Sequence, residues 1–170
     1  MQKFTLGLLI LLLVAGNAKA QSIQWMSLTE AEAALKKQAR PLLIDLYTDW
    51  CGWCKVMDKN TYSNKNVIAY IAKNFYAVKL DAETRSTLNW MGKAYRFNAN
   101  YRTNDLAIYF TQGKLSYPTT VIIPTDNSGP QPIPGYLEPK NIELVLKYFG
   151  EGKYGKQPFR EYQRSFNASW

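Results

Sequence analysis

The stretch from Pro41 to Lys55, PLLIDLYTDWCGWCK, constrains this chain more than any other. Leu42 to Tyr47 is a run of apolar and aromatic residues interrupted only by Asp45. It is short enough for a strand and apolar on both faces, the pattern of a central strand covered on two sides. A C-x-x-C pair follows directly, and CKVMDKNTY continues as a short helix. Ser63 or Asn64 caps another helix, in which Val67, Ile68 and Ile71 form the buried stripe. FYAVKLDAE then alternates as a second strand, Tyr76 to Leu80. Strand, helix, strand is a βαβ unit, so the two strands are expected to be parallel with a right-handed crossover.

Around this unit the rest of a single domain can be laid out, since 170 residues bury enough surface to fold without a covalent staple. Ser27 and Glu30 form a capping box for a first helix that Pro41 stops. Residues 84–102 break the rhythm: Leu88 and Trp90 before Gly92, with Tyr95 and Phe97 after it, suit an inserted β-hairpin. A helix from about Thr103 to Gln112 follows. YPTTVIIP and QPIPGYL read as antiparallel strands around an Asp126–Gly129 turn, and Asn141 to Phe149 as a final core helix. Phe159, Tyr162 and Phe166 recur at helical spacing in the extension 151–170, which predicts a short C-terminal helix docked on the domain. The fold class expected is α/β, with a central mixed β-sheet flanked by helices.

Residues 1–20 are expected to be a signal peptide. Lys3 supplies the positive start, Phe4 to Gly16 an apolar stretch too short to span a bilayer comfortably, and Ala18-Lys19-Ala20 the small-x-small cleavage pattern. Two lysines and no acid leave with it, taking the formal net charge from +8 to +6. The remaining basic residues are scattered among acids with no run of five, so a solvated surface is expected and nucleic acid is not a partner. The mature domain, 21–150 with its extension, is expected to be an exported periplasmic monomer without stable membrane insertion.

Cys51 and Cys54 are the chain's only cysteines, and it has no histidine. As a staple, a four-residue loop is worth about 2 kcal/mol against nearly 5 for one of 100 residues, so the spacing suits stability poorly. As a metal site, the pair supplies half of zinc's usual four ligands; no metal and no cofactor is expected. Thiol-disulfide exchange remains. Cys51 stands where a strand gives way to a helix, whose unpaired N–H groups favour thiolate over thiol. Cys51 is expected to be open and to attack a substrate disulfide. Cys54, one turn inside, is expected to be shielded and to resolve the mixed disulfide.

These residues resemble the thioredoxin family through LLIDLYTDWCGWCK, and the likeness extends over about residues 25–150. The family's acidic residue six before the first cysteine, the tryptophan before it and the lysine after the second fall on Asp45, Trp50 and Lys55. Its lysine in the next strand falls on Lys79 in VKLD, and its cis-proline on Pro118 in SYPTT. The resemblance implies a thioredoxin-like fold and a thiol-disulfide oxidoreductase with Cys51, Cys54, Asp45 and Lys79 as its catalytic set. Asp45, costly to bury as an ion, would take the proton of Cys54. Trp50, Trp53, Tyr117, Pro118 and Thr119 would hold substrate, with backbone beside the cis-proline pairing to an extended chain. The partners implied are disulfide-containing exported proteins and a membrane thiol donor, since the match runs to exported bacterial members, including the C-terminal domains of membrane thiol reductases, and favours the reducing direction. Two departures stand out: Trp53 replaces the family's usual proline or histidine between the cysteines, and 84–102 lengthens the segment before Pro118. A binding or chaperone module on the same fold is the alternative, against which an intact C-x-x-C argues.

Overall fold

The computed structural model describes residues 22–126 and 128–170; the signal-peptide expectation falls on residues outside these. A four-stranded sheet has the order β2 (Tyr76–Asp81), β1 (Leu42–Tyr47), β7 (Thr119–Ile123) and β8 (Gln131–Pro134). β1 pairs with β2 in parallel and with β7 antiparallel, and β7 pairs with β8 antiparallel, so the sheet is mixed.

The two-faced apolar character of β1 is used in full. Leu42, Ile44 and Leu46 face one layer, where α1 (Leu28–Lys37) and α4 (Asp105–Phe110) contribute Leu28, Ala31, Leu106 and Phe110. Leu43 faces the other, among Met57 of α2 (Gly52–Asn60), Val67, Ile68 and Ile71 of α3 (Lys65–Asn74), and Ile142 and Leu146 of α5 (Pro139–Gly150). Each of the larger side chains among these, fully buried, stabilises the fold by roughly 1.5–3 kcal/mol. Asp45 shares the face of Leu43 by strand alternation, which sets it in the layer that holds α2.

Local signals read from the sequence produce the expected starts. Ser27 accepts the N–H of Glu30, whose carboxylate takes the N–H of Ser27, completing the capping box. Asn64 caps α3 by accepting from Asn66 and Val67.

The long segment before Pro118 contains two hairpins where a single one is expected. β3 (Leu88–Trp90) and β4 (Lys93–Tyr95) turn through Met91 and Gly92, both at positive φ, 49° and 76°, as a two-residue hairpin loop requires. Buried Trp90 packs edge-on against Phe110 at 5.8 Å and fixes this hairpin to the α1/α4 layer. β5 (Phe97–Asn98) and β6 (Thr103–Asn104) make the second. α4 therefore begins at Asp105 rather than Thr103, because Asn104 caps it by accepting the N–H of Leu106. Neither hairpin joins the central sheet.

At the far end, α6 (Phe159–Ser165) lies against α5 through Tyr148, whose ring meets Phe159 at 5.1 Å and Tyr162 at 5.4 Å. Beyond it, Ser169 and Trp170 close over Glu143, a fully buried carboxylate of α5. It accepts from Lys147 Nζ (2.6 Å), from Ser169 N and Oγ (2.7 and 2.6 Å) and from Trp170 N (3.1 Å). Burial alone would push this carboxyl up; the bonds from Lys147, Ser169 and Trp170 outweigh it and hold it below the usual range. Removing Ser169 and Trp170 is expected to cost about 2 kcal/mol, since it strips hydrogen bonds from a buried anion. Urea unfolding measures this, and a loss within 0.5 kcal/mol or so would mean that water replaces the tail without penalty.

Candidate active site

The sheet's register brings one end of the fold together. β1 ends at Tyr47 and the chain turns through Thr48, whose carbonyl accepts the N–H of Cys51 at 3.1 Å. Cys51 is the N-cap of α2, and its Sγ accepts the N–H of Cys54 at 3.0 Å. A helix N-terminus offers N–H groups and partial positive charge to whatever sits there, here a sulfur. Cys51 and Cys54 form a disulfide with their Cα atoms 5.3 Å apart.

One expectation needs correcting. Cys51 is no more open than Cys54: each is 4% exposed. As an N-cap, Cys51 turns its side chain back over the first helical turn, which folds both sulfurs against that turn. The flanks are what remain open. Trp50 and Trp53 are 67% and 61% exposed, and a Cβ built on Gly52 meets nothing within 4 Å.

Leu46 pairs with Thr119, so the start of β7 lies at the same edge as the Cys51 turn. The Tyr117–Pro118 peptide is cis. The ring of Tyr117 meets that of Trp50 edge-on at 6.0 Å, joining this loop to the cysteine loop. Trp50 Nε1 donates to Glu83 Oε1 at 3.0 Å, and on the other flank Trp53 lies 5.5 Å from Tyr136. Thr119 is buried, with its hydroxyl donated to the carbonyl of Ser116 and its backbone set between Leu46 and Pro134 in the sheet.

On the α2 face of the sheet a charge cluster gathers around the buried Asp45, with Lys79 and Asp58 partly exposed. Asp45 is 2% exposed and its register partners are Lys79 on β2 and Thr120 on β7. Lys79 Nζ lies 2.6 Å from Asp45 Oδ2 and 2.5 Å from Asp58 Oδ1. Its ammonium also stands over the rings of Tyr47 (4.9 Å), Trp25 (5.4 Å) and Tyr62 (6.0 Å), so aromatic faces cover part of it. Burial pushes Asp45 from 3.8 up to about 6, against the pull of Lys79 and with a further push from Asp58. For Lys79, burial favours the neutral amine, yet Asp45 and Asp58 together hold its value above the ordinary one. The phenol of Tyr62, fully buried on Thr120 Oγ1 at 3.3 Å, is pushed well up by desolvation.

Sequence reading selected Asp45 and Lys79 but missed Asp58, Glu83, Tyr62 and Trp25. Asp58 was the accessible one of these: it lies four residues after Cys54, one helical turn along the same face. Its carboxylate draws on the same ammonium as Asp45. Asp58→Asn is therefore expected to lower the pH at which Asp45 titrates, read from the Asp45 carboxyl carbon by NMR; an unchanged or higher midpoint would show that Lys79 is not shared.

Among the described residues no group of three or more metal-binding side chains gathers, and no helix is long and apolar enough to cross a membrane.

Comparison with known proteins follows the same lines. A family profile described as thioredoxin-like matches residues 24–124. A thioredoxin-fold protein from Helicobacter pylori superposes with a TM-score of 0.58 at 18% identity, covering 86% of this chain and 89% of that one. A disulphide-isomerase so named from Bacteroides thetaiotaomicron gives 0.53 at 23% identity, over 79% and 98%. In sequence, the thiol:disulfide interchange protein DsbD of Pectobacterium atrosepticum is 34% identical over 47 residues, which is 28% of this chain and 8% of that protein. The chain spans less than a tenth of the length of the curated relatives it matches.

Proposed function

This chain belongs to the thioredoxin-like family, and from that premise we propose that it is an exported thiol-disulfide oxidoreductase that reduces disulfides in other proteins. The observation that carries the reading is Cys51 at the N-cap of α2, disulfide-bonded to Cys54 at the end of the central strand.

In the reduced state the Cys51 thiolate attacks one sulfur of a substrate disulfide. A bond forms between Cys51 and that sulfur, and the other substrate sulfur leaves as thiolate and takes a proton. Cys54 then loses its proton to Asp45 and attacks Cys51 Sγ; the second substrate sulfur leaves as thiolate and takes a proton from solvent, leaving the Cys51–Cys54 disulfide. The substrate gains two electrons and the protein loses two, to be restored by a dithiol donor. An Asp45 poised at about 6 can accept a proton near neutral pH, and Lys79 stabilises the anion before the transfer. Trp50, Trp53 and the Tyr117–Pro118–Thr119 backbone form the surface on which substrate lies.

The reducing direction is supported by the pairing of buried Asp45 with Lys79 and by the likeness to an interchange protein. The export pattern of residues 1–20 supports action in the periplasm, and the likeness to a thiol:disulfide interchange protein supports recharging by a membrane thiol donor. A binding module would also explain two exposed tryptophans at the site. Insulin reduction separates the readings: residues 21–170 should accelerate precipitation of the reduced B chain by dithiothreitol, and no acceleration over dithiothreitol alone would leave the binding reading standing.

A further inference from the structure

Between Glu83 and Asp105 the chain carries Arg85, Lys93, Arg96 and Arg102 and no acid. All four are exposed. Among the described residues the ion pairs are formed by Lys79, Lys140 and Lys147, so none of these four cations is paired.

One of them reaches the disulfide's surroundings. Arg102 lines a groove with Trp50, Glu83, Tyr101, Thr103 and Tyr117, which begins one residue before Cys51. Tyr101 is 64% exposed, an uncovered aromatic ring beside an uncovered cation. Arg102 sits at φ 51°, a left-handed conformation that a non-glycine residue adopts rarely and that the surroundings must enforce. They do so through backbone anchors: Thr103 Oγ1 and Asn104 N both donate to Ala82 O at 2.7 Å, and Thr103 Oγ1 lies 3.3 Å from Tyr117 Oη. The β5–β6 turn is thus held rigidly against the same loop that carries the cis peptide.

The opposing charges lie on the strand side. Glu83 is engaged by Trp50 Nε1, and Asp81 is part-buried and accepts the N–H of Glu83 at 2.9 Å, while Asp49 is exposed beside Trp50. On the hairpin side the part-buried Asp105 is engaged by the Asn98 amide at 2.9 Å, which leaves the cations as its exposed charges. Arg85, stacked 4.7 Å over Phe97, extends them along β5.

We propose that the β5–β6 hairpin is a docking surface for acidic polypeptide, receiving the stretch that flanks a partner's cysteine, with Arg102 pairing its carboxylates and Tyr101 packing on their stems. The inference rests on the oxidoreductase reading for its partner, a protein disulfide. Its charge logic is independent: an exposed guanidinium without a partner gains from a carboxylate and repels an ammonium, and the chain's positive net charge steers the same class of partner.

Two synthetic peptides test it without redox chemistry: a serine in the cysteine's place flanked by glutamates, and its lysine counterpart, each followed by fluorescence anisotropy. The glutamate peptide is expected to bind about tenfold more tightly at low salt, with the difference shrinking as salt screens it. Arg102→Gly removes the charge while suiting the left-handed backbone, so the hairpin is kept; it should erase most of the preference, and Arg102→Lys should retain it. Equal binding of the two peptides by the wild type, or a preference untouched in Arg102→Gly, overturns the proposal. Reduction of bis(2-hydroxyethyl) disulfide, neutral and too small to reach the hairpin, tests the oxidoreductase reading on its own. Failure there defeats that reading, while the peptide comparison still decides the docking surface.

Discussion

Serine at Cys51 is expected to abolish insulin reduction, lowering turnover by at least about 10³-fold, whereas serine at Cys54 should stall the reaction after its first step. The asymmetry follows from position. Cys51 caps α2, where the N–H of Cys54 already points at its sulfur, and a serine hydroxyl there is far too weak an acid to supply an anion that opens a disulfide. In Cys54→Ser that N–H remains, so the first exchange proceeds, but no second sulfur is present to close on Cys51. The mixed disulfide should then accumulate as a covalent adduct, visible on non-reducing gels and lost with reductant. Adducts on Cys54 in a Cys51→Ser protein, with none in Cys54→Ser, would reverse the roles. With both cysteines equally covered, exposure does not decide which attacks; the helix terminus does.

Asp45→Asn should stabilise the oxidised protein at neutral pH while slowing its turnover. Burial raises Asp45 from 3.8 to about 6, so the folded chain binds this proton more tightly than the unfolded chain. Its contribution to stability is fully present below pH 4 or so and is lost as pH rises through about 6, a swing of about 3 kcal/mol. Asparagine has no such proton. Between pH 4 and pH 7.5 the unfolding free energy of the variant, relative to wild type, should therefore rise by about that amount in urea melts. Lys79 keeps Asp58 as a partner at 2.5 Å, which limits the cost of losing the first carboxylate. Turnover at pH 7 should meanwhile fall about 10²-fold, the usual loss when a proton acceptor is removed. Parallel pH-stability curves for the two proteins would show that Asp45 titrates normally, and the proton-acceptor role would go with it.

How much of this could be read beforehand depends on distance along the chain. The capping box of α1, the cap at Asn64, the parallel pairing of β1 with β2 and the turn at Gly92 all express contacts within a few residues or a single periodic pattern, and the sequence states such patterns directly. The second hairpin escaped because its strands are two residues each, too short for any period to show. Asp45 and Lys79 were legible only as matches to a family motif. That both meet on one face is a matter of register between strands 34 residues apart.

From its residues alone the chain determines a strand apolar on both sides, the helix that opens at Cys51, and a dithiol four residues long, since each is written in neighbouring side chains. Only the folded sheet decides that Asp45 loses its water, that Asp58 competes for its lysine, that Glu143 receives Ser169 and Trp170 and that Arg102 lines one groove with Trp50. Burial and long-range pairing are properties of packed layers, and no local run of residues carries them.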